Sequence, residues 1–171
     1  MCIRDSATTA PLATLAEPIY DMTFDQYGEL WATTGGGPLE QLDPNTGQVV
    51  GSYGNGVTLG IAADPNSNLL YVAYADGVET FNTVTHVFTP FSSQRVDGLA
   101  FAPDGTLWGV TYPDQTDAAG DGQVVTFDSS GNATPAVTLS DPAVGLSFGL
   151  PGTPLANLLF VTCLLYTSRC V

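Results

Sequence analysis

The chain contains no lysine, and its three cysteines, Cys2, Cys163 and Cys170, lie at its two extremes. From Ala7 to Thr162 there is no thiol, which excludes a disulfide framework, a thiolate zinc site and a cysteine nucleophile from that stretch. Cations are almost as scarce. Arg4, Arg95 and Arg169 stand against 17 acidic residues, for a formal charge of −14. Nucleic-acid affinity comes mainly from lysine and arginine displacing counterions, so no nucleic acid is expected as a partner, nor an anionic membrane surface. No apolar run nears the ~18 residues of a membrane span, so no membrane insertion is expected. No stretch carries apolar residues at helical spacing behind a cap. What the chain has is 19 glycines and 12 prolines, many at turn positions, and a hydrophobic share of 44%, ample for one domain of 171 residues.

The two ends differ from everything between them. Met1 to Ser6 and Cys163 to Thr167 can be encoded by inverted copies of one DNA stretch, and Arg169 to Val171 by a further forward copy. That DNA resembles a transposase mosaic end. Residues 1–6 and 163–171 are therefore expected to be translated sequencing adapter, and 7–162 a fragment open at both ends. Within that fragment Arg95 is the sole cation.

A repeat runs through the interior. MTFDQYGELWATT (Met22 to Thr34), IAADPNSNLLYVAY (Ile61 to Tyr74) and LAFAPDGTLWGVT (Leu99 to Thr111) follow one template, and LSFGLPGTPLANLLFVT (Leu146 to Thr162) repeats it with a longer turn. Their aromatic anchors are Trp31, Tyr71, Trp108 and Phe160. Behind each of the first three comes a second module, LEQLDPNTGQVV, VETFNTVTHVF and VVTFDSSGNATPAV, with anchors Leu42, Phe81 and Phe127. The period is roughly forty residues. Each module is a pair of short apolar runs around a turn of Asp, Pro, Asn and Gly, the signature of a β-hairpin. Proline presets φ on the way into such a turn and glycine accepts positive φ on the way out. Two hairpins per period make a four-stranded meander, and meanders that must bury both faces stack around an axis as a β-propeller.

The stretch LLYVAYADGVETFNTVTHV resembles a YVTN-type blade, and DGLAFAPDGTLW resembles blades of NHL and streptogramin-lyase-like propellers. The fold expected is all-β, a propeller fragment of about three and a half four-stranded blades in an incomplete ring. Blades are placed at about 17–54, 57–93 and 96–140, with an incomplete fourth over 143–162. Propellers similar to these have six or seven blades, which implies that the remainder lies outside the fragment.

In such folds the loops from second to third strand, and from blade to blade, gather on the face where ligands bind. The repeat is elaborated there once, in TYPDQTDAAGDG, which makes Tyr112, Asp114, Asp117 and Asp121 the candidate ligand-binding residues. Those carboxylates depart from an EF-hand loop and lack its closing glutamate, so no cofactor is assigned and calcium is the one metal their chemistry leaves open. His86, the single histidine, is expected on a solvent-facing outer strand of blade two. Asp21 and Asp97 are expected near the axis. GGGP at 35–38 precedes a strand and has no lysine, so it is a hairpin connection and not a phosphate loop. Trp31 and Trp108 recur at one repeat position, which marks them for packing between blades.

Two functions are compatible with these residues. Lysine-free acidity, absent thiols and no visible catalytic constellation suit a non-enzymatic, extracellular or cell-surface binding module of a larger acidic bacterial protein, with an unidentified protein or carbohydrate ligand. The resemblance to streptogramin-lyase-like and gluconolactonase-like propellers implies the alternative, a metal-dependent enzyme whose axial site is completed by blades outside the fragment.

Overall fold

The computed structural model describes residues 13–111, 122–139 and 143–163. Every regular element among them is a β-strand paired antiparallel with its neighbour in sequence. The first seven form one sheet in chain order: β1 (Asp21–Phe24), β2 (Leu30–Thr33), β3 (Gly37–Leu42), β4 (Val49–Ala63), β5 (Leu69–Tyr74), β6 (Gly77–Asn82) and β7 (Val87–Ser92). A second sheet holds β8 (Gly98–Phe101), β9 (Leu107–Thr111), β10 (Gln123–Phe127) and β11 (Ala133–Thr138); β12 (Ala143–Phe148) and β13 (Leu159–Cys163) form a hairpin. These are the meanders of an all-β propeller fragment.

The passage from blade one, expected at about 17–54, to blade two, expected at 57–93, falls inside one strand. There β4 runs on without interruption, pairing Leu39 with Tyr53 on one side and Val72 with Ile61 on the other. It is the outer strand of blade one and the inner strand of blade two. Gly54 and Gly56, at φ 62° and 89°, turn it from one sheet plane to the next; a side chain at either would be strained.

The hairpin turns follow one physical rule. Asp43, Asn82 and Asp128, at matching places in the second modules, each accept with Oδ1 from a backbone N–H two residues on, at 2.8, 2.9 and 2.8 Å. Asp25 and Asp64 do the same in the first modules. A short side chain that closes its own turn is what selects Asp or Asn at these positions. His86 lies in the turn after Asn82 and not on the outer strand: its N–H donates to the Asn82 carbonyl and its φ is 57°. Its exposed ring rests 4.5 Å from that of Tyr53.

Blades adhere through aromatic residues. Tyr71 of blade two meets Phe101 of blade three at 5.3 Å and 75°, and Trp108 of blade three meets Phe148 of blade four at 5.9 Å and 71°. Trp31, fully buried, packs with Leu70, Val72 and Phe81 of blade two. Edge-to-face contacts of this kind add to the area they bury.

Candidate functional site

The strand nearest the axis in each blade carries the residue that decides how closely blades approach. Aligned by register, these residues are Asp21, Gly60, Gly98 and Gly145. A Cβ on Gly60 would lie 2.9 Å from the Gly98 Cα, and one on Gly98 would lie 2.9 Å from the Gly145 Cα. Successive inner strands thus touch backbone to backbone. Asp21 is the exception, and it uses its carboxylate as a clamp. Its Oδ2 accepts from Ile61 N–H of blade two at 3.2 Å and its Oδ1 from Met22 N–H at 2.8 Å. Beside it the buried Thr33 hydroxyl donates to the Leu59 carbonyl at 2.6 Å and accepts from Asp21 N–H at 3.1 Å.

At the loop end of these strands lies a cavity of about 270 Å³. The β2–β3 loop contributes Gly35 and the β5–β6 loop Ala75; Tyr20 precedes β1, Thr58 lies within β4, Tyr74 ends β5, and Arg95 and Asp97 lie on the connection from β7 to β8. Gly35 has φ 68° and the Tyr20 ring lies directly over it, so a side chain there would be strained and would have to push the ring aside. The N–H groups of Gly35 and Gly36 donate to the carbonyls of Thr58 and Val57 at 3.1 and 2.6 Å. They close the loop on β4 and have nothing left for an anion.

Burial pushes the Asp97 carboxyl above the usual carboxylate range, and nearby Arg95 pulls it partly back. Asp21 is likewise raised by burial, against its two amide donors. The Tyr74 phenol is pushed up to about 12, by burial first and then by Glu79, so it is a neutral donor at physiological pH. The cavity therefore offers one guanidinium, one half-buried carboxyl whose burial favours its neutral form relative to an exposed aspartate, and phenol hydroxyls. Such a set can hold a small polar molecule by directed hydrogen bonds.

The sequence candidates Tyr112, Asp114, Asp117 and Asp121 lie outside the described residues. Asp21 and Asp97 are both at the axial end, but only Asp97 lines the cavity. Arg95, Tyr20 and Tyr74 were not singled out for the site. Arg95 had a readable signal: it is the interior's sole cation, two residues before an inner-strand aspartate, on a blade connection. Tyr20 and Tyr74 had none, since tyrosine at a strand end is also an ordinary packing residue.

No family model and no curated protein matches the chain. Solved structures do. A gluconolactonase from Xanthomonas campestris superposes with a TM-score of 0.67 at 18% identity, over 90% of this chain and 57% of that one. The calcium-binding protein regucalcin from Agrobacterium tumefaciens gives 0.59 at 15% identity, over 77% and 49%. A chain of the mitotic checkpoint complex gives 0.58 at 14%, over 88% and 47%. The chain spans about half the length of the structures it matches. These likenesses establish the propeller fold.

Proposed function

We propose that this chain forms part of a propeller that holds a small polar molecule at the loop end of its axis, as a gluconolactonase-like or regucalcin-like protein would, with Arg95 and Asp97 as this chain's binding pair. The observation that carries the reading is the 270 Å³ cavity, where the one arginine of the described residues stands beside a half-buried carboxyl. In a chain of formal charge −14 that is the place where a ligand carboxylate or carbonyl oxygen meets positive charge. Asp97, when protonated, donates to a ligand oxygen; when ionised, it accepts from a hydroxyl.

A divalent cation, as regucalcin's description implies, is not accommodated by the described residues alone. They contain no group of three His, Cys, Asp or Glu side chains close enough to hold one. Asp21, the other buried aspartate at the axial end, has both oxygens on backbone amides.

The test is calorimetric titration with gluconate and with D-glucono-1,5-lactone, against Arg95→Gln and Asp97→Asn. Saturable binding that weakens by about tenfold or more in each variant, one charged hydrogen bond's worth, supports the reading. Binding that both variants retain unchanged overturns it. The acidity and lysine-free composition support a second reading, an extracellular module for a protein or carbohydrate; it requires that gluconate and the lactone fail to bind while a glycan or protein probe binds with Arg95 dispensable.

A further inference from the structure

Two connections of blade two line two cavities at once. In the β5–β6 turn, only two residues long, Ala75 lines the axial cavity and Asp76 lines a second one. From the end of β7 toward β8, Ser92 and Ser93 line the second cavity, and Arg95 and Asp97 the axial one. Tyr74 lines both. The second cavity, of about 380 Å³, thus lies beside the first and shares Tyr74 with it as a wall. A β-bulge sits at its edge: Val78 pairs with Ser92 and Glu79 with Pro90, so Phe91 is the extra residue of β7. A bulge disrupts the ladder locally and re-aims what it carries. Gly77 lets the turn close against this bulge, since a Cβ there would fall on the Ser92 carbonyl oxygen.

The two cavities differ in charge. Arg95 belongs to the axial one; Asp76 and Glu79 belong to the second, and no cation lines it among the described residues. Asp25, Asp43, Asp64, Asp104 and Asp128 each close their own turn with a carboxylate oxygen, but Asp76, in a turn of its own, is not among them. The charge of Glu79 reaches the shared wall, where it is the second cause, after burial, that lifts the Tyr74 phenol to about 12. Two carboxylates beside an aromatic ring suit an ammonium group, which takes charged hydrogen bonds from the one and a cation–π contact from the other. We propose that the ligand of the axial cavity is zwitterionic, with its anionic end at Arg95, its ammonium end at Asp76 and Glu79, and a chain of several bonds passing Tyr74. This rests on the binding role assigned above to Arg95 and Asp97, and it adds a second charged group to that ligand.

Calorimetric titration at pH 7 tests this by comparing D-gluconate with 6-amino-6-deoxy-D-gluconate, which carries an ammonium group in place of one terminal hydroxyl. The amine should bind about tenfold or more tightly, and Asp76→Asn combined with Glu79→Gln should abolish that ratio. Arg95→Gln should weaken both ligands. Asp76 is exposed and Glu79 partly so, and circular dichroism should show unchanged strand content in the double variant. Glu29→Gln removes one charge at the opposite, turn end of blade one and should leave the ratio intact, which separates a local site from attraction to the net charge of −14. Equal affinity of the two ligands, with Arg95→Gln still weakening both, overturns the zwitterion and leaves the axial site standing. A ratio that survives the loss of both carboxylates, or that Glu29→Gln erases as fully, also overturns it. Failure of both ligands to bind, or binding that Arg95→Gln leaves unchanged, overturns the axial reading and the zwitterion together.

Discussion

Two buried polar groups show how a single residue departs from its repeat. The Trp31 indole N–H donates to Asp25 Oδ2 at 3.2 Å, whereas Trp108, its equivalent, has a buried indole nitrogen with no partner among the described residues. Blade three places Ala102 where blade one has Asp25. Glu40 on β3 is 7% exposed, and its Oε2 also lacks a partner. Burial, and secondarily the charge of Glu17, pushes its carboxyl above the usual range. At the same register blade three has Val125. Because an unsatisfied buried group bears its full desolvation cost, Glu40→Val should stabilise the fold by about 1 kcal/mol or more in urea unfolding at pH 7. A destabilised variant would mean that the carboxylate has a partner that the described residues do not include.

At the scale of the strand, the glycine column at the axis sets the blade spacing. Each glycine removes the one atom that would hold neighbouring inner strands apart, and Asp21 replaces that contact with a hydrogen bond across the same gap. Gly98→Ala would set a methyl 2.9 Å from the Gly145 Cα, with backbone on the far side that has little room to yield. The expected cost is about 1–3 kcal/mol, the usual penalty of overpacking. It should appear as a lower thermal midpoint with unchanged strand content. Gly105→Ala, where a Cβ meets nothing within 4 Å but φ is 86°, is the control: it isolates backbone strain from crowding.

For the whole molecule, charge dominates the response to conditions. Asp21, Asp97 and Glu40 have carboxyls raised mainly by burial. Such groups bind more protons folded than unfolded, so the stability they withhold at neutral pH returns as pH falls toward the ordinary values of 3.8 and 4.5. Asp43, Asp104 and Asp128 are exposed and pulled down by hydrogen bonds within their turns, so their contribution persists at neutral pH and is lost only below 3.8. The thermal midpoint should therefore rise from pH 7 toward the mid-fours and drop again below 3.8. Added salt should raise it at pH 7 by screening the net charge of −14. A midpoint that falls steadily on acidification would show that the turn carboxylates outweigh the buried ones.

Much of this was legible because it is local and repeated. Strand alternation, the Asp and Asn that close their own turns, and the recurring Trp31, Tyr71 and Trp108 are written at one period, and the all-β propeller class follows from them. Asp21 and Asp97 could be placed near the axis by their position at or just before the start of an inner strand. The continuity of β4 could not, since Gly54 and Gly56 read equally well as a break or a bend and only pairing on both sides distinguishes them. Nor could the cavity: Tyr20 and Tyr74 belong to two blades and Arg95 to the connection beyond them, and they share a wall only after the blades have stacked. The sequence by itself determined the strands, their turns and the acidic character, because short-range sterics and hydrogen bonds are encoded within a few residues. Tertiary structure alone decided which aspartate clamps two blades and which lines the cavity, because that difference is a contact between residues forty positions apart in the chain, Asp21 and Ile61.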